Sequence, residues 1–275
     1  MDQKNKILNI SAAMRFSPFH NMTYIANHKC GSTSIRYSLW HDYDLKNNVT
    51  TYQGRDYDIA QSPFLRGARQ IRAYGVDNFA ESHFFTVVRN PFSKVLSSYL
   101  HQVQRKSFLD RALKNLKGIR KGRPNSWQQV AQLTGKNPWL SVSFKDFLSL
   151  LSDIPTDKWP THFRPQVDSV GWGDIPYDFI GKLENPDPLN DYFKKRDIVL
   201  QVRAPHSQNT LDKMQRYYGQ AEIDLVRHLY RDDFNAFSYS RELDDVTAYQ
   251  AVTMPKLSRN LLVDFMRSGD KAFTL

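Results

Sequence analysis

One cysteine, Cys30, occurs in 275 residues. A single thiol excludes an intramolecular disulfide and a structural zinc site built from cysteines. No stretch approaches the roughly 18 apolar residues expected of a membrane-spanning helix. The opening MDQKNKILNI carries no apolar run after its lysines, so it does not read as a secretory signal. Without such a signal, the triplets at Asn21-Met22-Thr23 and Asn48-Val49-Thr50 carry no weight as glycosylation sites. Also missing are the G-x-x-x-x-G-K-[ST] phosphate loop, G-x-S-x-G, H-E-x-x-H and C-x-x-C. These absences argue against a Walker-type magnesium nucleotide enzyme, an elbow serine hydrolase, a helical zinc protease and a dithiol enzyme. The expectation is a soluble protein of a reducing, cytoplasmic compartment, of bacterial type unless an anchor has been trimmed.

Acidic residues are outnumbered: 28 Asp and Glu stand against 38 Lys and Arg, a formal net charge of +10. That balance favours anionic partners. At 40% hydrophobic and 13% aromatic the chain is globular. No internal repeat or linker divides it, so one domain over residues 1–275 is expected, with an unassigned tail from 241. Met22 to Ala26 is a short apolar strand, and Ile35 and Leu39 share a helix face after it. Residues 41–80 are expected to hold loops and short elements. His83 to Val88 reads as a buried strand. Asn90 followed by Pro91 starts a helix that runs to about Gln104. Ser143 to Leu151 is a capped helix, Tyr177 to Leu183 a strand, and Ala221 to Asp233 a helix with Ile223, Val226 and Tyr230 on one face. Strands alternating with helices predict an α/β domain with a mainly parallel sheet.

Two segments carry chemistry. In YIANHKCGSTSIRYSLW, residues 24–40, a strand runs into a Gly/Ser/Thr turn and then a helix. Free N–H groups and the helix dipole converge on an anion there. Gly31 allows close backbone approach, Ser32, Thr33 and Ser34 offer hydroxyls, and Lys29 supplies a mobile charge. FFTVVRNPFSKVLSSYLH repeats the logic: Arg89 ends a buried strand, and Ser93 and Ser97 lie on one face of the helix that follows. Two anion sites beyond neighbouring parallel strands suit a ligand with two separated phosphates. Residues 105–123 hold eight basic side chains against Asp110, which reads either as a solvated face or as a rim for a polyanionic acceptor.

These segments resemble those of sulfotransferases that use 3′-phosphoadenosine 5′-phosphosulfate (PAPS), most nearly the carbohydrate, Golgi-type branch. NHKCGSTSI resembles the loop for the 5′-phosphosulfate, and VVRNPFSKVLSSY the segment for the 3′-phosphate. HFRPQ…YDFIGKLEN (162–185) and LYRDDFNAFSY (229–239) resemble blocks of the carbohydrate branch. The resemblance implies a P-loop-like three-layer fold, cofactor segments at about 22–105 and acceptor segments at about 106–240. It implies in-line transfer of a sulfuryl group to a carbohydrate hydroxyl, with PAPS as donor, 3′,5′-adenosine bisphosphate (PAP) as product and no metal. Lys29, Cys30, Gly31, Ser32, Thr33 and Ser34 would hold the 5′ end, with Lys29 at the bridging oxygen. Arg89 and Ser97 would hold the 3′ end, and Arg203 would close over the nucleotide.

The general base is left open. Relatives place a His or Glu between the two cofactor segments, and residues 60–80 contain neither. His162 is the first candidate, because imidazole titrates near neutrality, and Glu184 the second. Each has a structural alternative: His162 packed beneath the loop, Glu184 paired with Arg164 or Lys182. His83 is expected in the core. A P-loop-type nucleotide kinase, or a non-catalytic binder of an acidic glycan or nucleic acid, stays open as another reading. The favoured partner is a hydroxylated, possibly anionic acceptor, not nucleic acid.

Overall fold

The structure is a computed structural model of the whole chain. It describes residue 10 and residues 12–51, 62–104, 124–138, 140–201, 210–245 and 250–267. The basic 105–123 segment and Arg203 lie outside the described residues.

Elements follow in chain order: β1 (Met14–Ser17), β2 (Met22–Ile25), α1 (Ser32–Lys46), β3 (Leu65–Arg66), α2 (Gly67–Tyr74), α3 (Val76–Ala80), β4 (His83–Val88) and α4 (Pro91–Tyr99). A π-helical turn at Leu100–Gln104 extends α4. Then come α5 (Ser126–Leu133), α6 (Phe144–Ser152), α7 (Gln166–Val170), β5 (Phe179–Lys182), α8 (Asp187–Lys194), α9 (Thr210–Tyr217), α10 (Gln220–Leu229), α11 (Arg231–Ala236) and α12 (Asn260–Arg267). The chain forms two compact units. The first comprises Met1–Val88, Gln166–His206 and Ala251–Leu275; the second comprises Arg89–Pro165 and Ser207–Gln250.

The first unit is built on a sheet of order β3-β1-β2-β4-β5. β2, β4 and β5 pair in parallel, while β1 runs antiparallel to both β2 and β3. Only β1 is therefore reversed, and the sheet is mainly parallel with flanking helices, the α/β class expected. Phe84, Phe85, Val87 and Val88 of β4 are all buried, as a strand covered on both faces requires. Against one face, Ile35, Leu39 and Trp40 of α1 and Leu189, Tyr192 and Phe193 of α8 pack on Met22, Tyr24, Phe85 and Val87. Burial of such side chains contributes about 1.5–3 kcal/mol each. The tail is not idle: Arg259 donates to the carbonyls of Ala80 and Ser82 and pairs with Asp178 at 2.8 Å, which seats α12.

The second unit is helical among its described residues. Asn90 caps α4 by accepting from the Phe92 N–H at 3.0 Å, with Pro91 at the first helical position, as read from the sequence. Ser143 caps α6 through the Asp146 N–H at 3.1 Å. The helix expected over 221–233 is instead divided at Tyr230, whose φ of −117° and ψ of 24° leave helical geometry. Tyr230 is buried and its hydroxyl donates to the Phe163 carbonyl at 2.7 Å, a tertiary bond that local periodicity does not reveal. His83 is exposed rather than in the core. It is the first residue of β4, before the strand enters the apolar layer.

Candidate active site

The loop between β2 and α1 occupies the carboxyl edge of the sheet, where ligands of parallel α/β sheets bind. Lys29 (φ +66°) and Gly31 (φ +76°) both adopt left-handed backbone. For a lysine this is uncommon and strained, a state that persists only where surrounding structure imposes it. Gly31 is required twice over. A Cβ there would lie 3.2 Å from Leu183 Cδ1, as well as facing the left-handed penalty. Gly31 also occupies the N-cap position of α1, so the residue that begins this 15-residue helix contributes no side-chain cap.

Behind the loop the packing is specific. Asn27 is fully buried and its Nδ2 donates to the Val87 carbonyl and to Gln166 Oε1, at 3.2 and 3.0 Å. Cys30 is buried too, its thiol 3.3 Å from the same Gln166 oxygen. The Cys30 side chain thus faces inward, and only its backbone is left for a ligand. Tyr24 donates to Ser32 Oγ at 2.9 Å, and Ser32 Oγ donates to the Asn27 carbonyl. Burial pushes Tyr24 up to about 12, so it remains a neutral donor. Thr33 is exposed, while Lys29 and Ser34 are half-buried.

The end of β5 lies next to this loop. Leu183 N donates to the Val88 carbonyl at 2.9 Å, and its side chain is the one that meets Gly31. Glu184 follows, half-buried. Lys182, the last residue of β5, is only 6% exposed. Desolvation lowers its proton affinity to about 8, against an opposing pull from Glu184. The fold therefore brings Lys29, Gly31 and the Lys182–Glu184 segment into one neighbourhood. Lys182 was missed from the sequence, although a lysine inside the apolar run YDFIGKL is a visible signal.

In the second unit Arg89 directly follows β4. Its Nε donates to Ser93 Oγ at 2.8 Å, and Ser93 in turn donates to the Asn90 carbonyl at 3.1 Å. The serine that orients Arg89 is thus Ser93, with half-buried Ser97 one helical turn further on. The 162–164 segment is pinned by its carbonyls: Ser98 donates to His162, Tyr230 to Phe163, and the buried Lys94 ammonium to Arg164, at 2.9, 2.7 and 2.9 Å. His162 Nδ1 lies 2.9 Å from Ser126 Oγ, and its ring stacks on His101. Three motifs far apart in sequence therefore form one scaffold.

Residues 12–240 match the sulfotransferase family. The chain belongs to that family. Comparison with curated proteins and comparison with solved structures each returned no match. The sulfotransferase is thus a transferase of P-loop-like fold whose family chemistry is sulfuryl transfer. Its matched span covers β1 through α11 and ends before α12.

Proposed function

We propose that this sulfotransferase moves a sulfuryl group from PAPS to a hydroxyl of a carbohydrate acceptor. The observation that carries the reading is the β2–α1 loop: two left-handed residues, Lys29 and Gly31, the second of them the N-cap of a 15-residue helix. Backbone N–H groups and a helix dipole there favour an oxyanion. Leu183 Cδ1 packs where a Gly31 Cβ would sit, which holds the loop against the end of β5.

PAPS supplies the sulfuryl group and a bisphosphate leaving group. Lys29 holds a positive charge where negative charge grows as the sulfur–oxygen bond breaks, which lowers the barrier more than it strengthens binding. The N–H groups of Gly31 to Ser34 hold the 5′ end, with Ser34 and Thr33 offering hydroxyls. Arg89, oriented by Ser93, and Ser97 take the 3′-phosphate. Glu184 is the favoured base for the acceptor proton, because it belongs to the segment packed on Gly31; His162 is the second. The carbohydrate assignment rests on the 162–185 and 229–239 blocks.

Calorimetric titration with PAP, 5′-AMP and magnesium ATP at one salt concentration tests the donor. Clear preference for PAP supports the reading, and labelled PAPS then identifies sugar acceptors. Preference for magnesium ATP, or no binding of PAP, overturns it.

A further inference from the structure

The left-handed backbone at Lys29 needs a cause outside that residue, because nothing in a lysine favours a φ of +66°. Its neighbours supply one. Asn27 lies two positions before Lys29 and Cys30 one after, and both side chains donate to the same atom, Gln166 Oε1, at 3.0 and 3.3 Å. Gln166 stands 139 and 136 positions away in sequence. All three residues are 0% exposed. An amide oxygen has two lone pairs and accepts two donors, so one atom holds the loop on both sides of Lys29.

Both ends of this clamp are anchored. Asn27 spends its other N–H on the Val87 carbonyl of β4, at 3.2 Å. Its own Oδ1 is buried with no hydrogen-bond partner among the described residues. The amide is therefore turned to give two bonds through nitrogen while its oxygen goes unmet, an arrangement that calls for a reason. Gln166 is the first residue of α7, and the last, Val170, accepts through its carbonyl from the Tyr177 hydroxyl. Burial holds the Tyr177 phenol well above its ordinary range, so it stays a neutral donor. The next residue, Asp178, donates its N–H to the Phe84 carbonyl at 2.8 Å. The glutamine is thus carried on a helix that is tied at its far end to the same strand as Asn27.

Rotation about φ carries the Cα–Cβ bond with it, so the backbone held here also fixes where the Lys29 side chain sets out. Strain of this kind persists only where the surroundings over-determine it. We propose that Gln166 is a positioning residue for sulfuryl transfer: by clamping Asn27 and Cys30 it imposes left-handed backbone on Lys29 and directs that ammonium to the bridging oxygen of the donor. This rests on the PAPS-dependent reading above, in which Lys29 meets that oxygen, and deepens it by giving the glutamine of the HFRPQ block a role. A small misplacement from a residue that never touches the substrate is enough to cost about 100-fold in rate.

Cys30 is the sole thiol of the chain, so its alkylation by iodoacetamide reports on the loop and nothing else. The full chain is labelled as wild type, Gln166→Leu and Gln166→Glu. Leucine removes the oxygen at similar size, whereas a buried glutamic acid, kept neutral by desolvation, retains it. Labelling is expected to be at least about tenfold faster in Gln166→Leu and within about threefold of wild type in Gln166→Glu. An unchanged rate in Gln166→Leu overturns the clamp. So does an acceleration that only follows the fall in urea midpoint, as calibrated with Asp42→Ala. Transfer of labelled sulfate from PAPS, to a sugar acceptor or to water, then tests the positioning. Gln166→Leu should lower kcat at least about 30-fold while PAP affinity by calorimetry stays within about threefold, and should lower it no further in Lys29→Ala. Unchanged kcat, or the full loss repeated in Lys29→Ala, overturns the proposal. If Gln166→Leu fails to fold, Asn27→Ala opens the clamp from the loop side, and unchanged labelling there overturns it equally. Failure of PAP to bind the wild type sinks the donor reading alone, because the labelling needs no nucleotide and still tests the clamp on Lys29.

Discussion

The two edges of the sheet in the first unit each carry a polar cluster, and the clusters are put together differently. At the amino edge, Ser17 Oγ lies 2.7 Å from His20 Nδ1, and His20 Nε2 lies 3.0 Å from Asp42, which Lys46 also meets at 3.0 Å. A serine, a histidine and an aspartate in a chain suggest nucleophilic catalysis. Yet Ser17 is fully buried and the His20 side chain is 3% exposed, so no substrate reaches them. Donors and acceptors there answer one another, and opposite charges are paired. At the carboxyl edge, Lys29 and Gly31 adopt left-handed backbone in the loop that leads into α1, whose N-cap is Gly31. Complementary groups close on themselves and stabilise; a strained loop at a helix N-terminus is shaped for an anion from outside. The contrast separates a structural cluster from a binding one more reliably than residue type does.

Substitutions can break this contrast in a graded way. The largest effect is expected from Lys29→Ala, which should lower kcat roughly 100- to 1,000-fold, about 3–4 kcal/mol of barrier, while PAP binding measured by calorimetry stays within a few-fold. Unchanged turnover with labelled PAPS would remove Lys29 from the chemistry. Next is Asp42→Ala, which strands the buried His20 and should cost ~1–3 kcal/mol in urea unfolding with turnover intact. Loss of turnover without loss of stability would mean that the amino edge is a site after all.

A smaller change separates strain from function within the loop. Lys29→Gly relieves left-handed backbone and should raise stability by about 1 kcal/mol or less while turnover is lost, since glycine's own entropy offsets part of the gain. Gly31→Ala should do the reverse to stability, by about 1–2 kcal/mol. If both substitutions destabilise, the loop is not storing strain at Lys29.

The smallest effects are in pH dependence. Lys182 has its folded proton affinity lowered from 10.5 to about 8, so between those values the unfolded chain binds more protons. Its contribution to stability should therefore rise with pH across that window, and Lys182→Met should remove the rise in denaturant midpoint. His20 is also lowered, by burial against the opposing pull of Asp42. Stability should fall as pH drops below 6.5, and His20→Asn should flatten that limb. Identical pH profiles for wild type and variants would show that neither group is desolvated as described.

Much of this was legible in the chain because it is local. The β2–loop–α1 unit, β4 with its Asn90-Pro91 helix start and the Ser143 cap are each set by a few adjacent residues. Three features were not. The break at Tyr230 follows from a hydroxyl bonded to Phe163, 67 positions away. Ser93 orients Arg89 because of the way the first turn of α4 directs it, whereas spacing alone pointed equally to Ser97. The pairing of Arg15 with Arg66 joins a four-residue strand to a two-residue one, too short for any periodicity to show.

By itself, then, the sequence determined the kind of chemistry: a cationic Gly/Ser/Thr loop between strand and helix, an arginine after a second strand, and motif blocks in family order. Local backbone preference and hydrogen bonding within a few residues are enough for that. Only the tertiary structure decided which polar residues are spent on one another and which lie beside the loop. That depends on burial and on long-range pairing, which place Lys182 out of water at the end of β5 and close Ser17, His20 and Asp42 on one another.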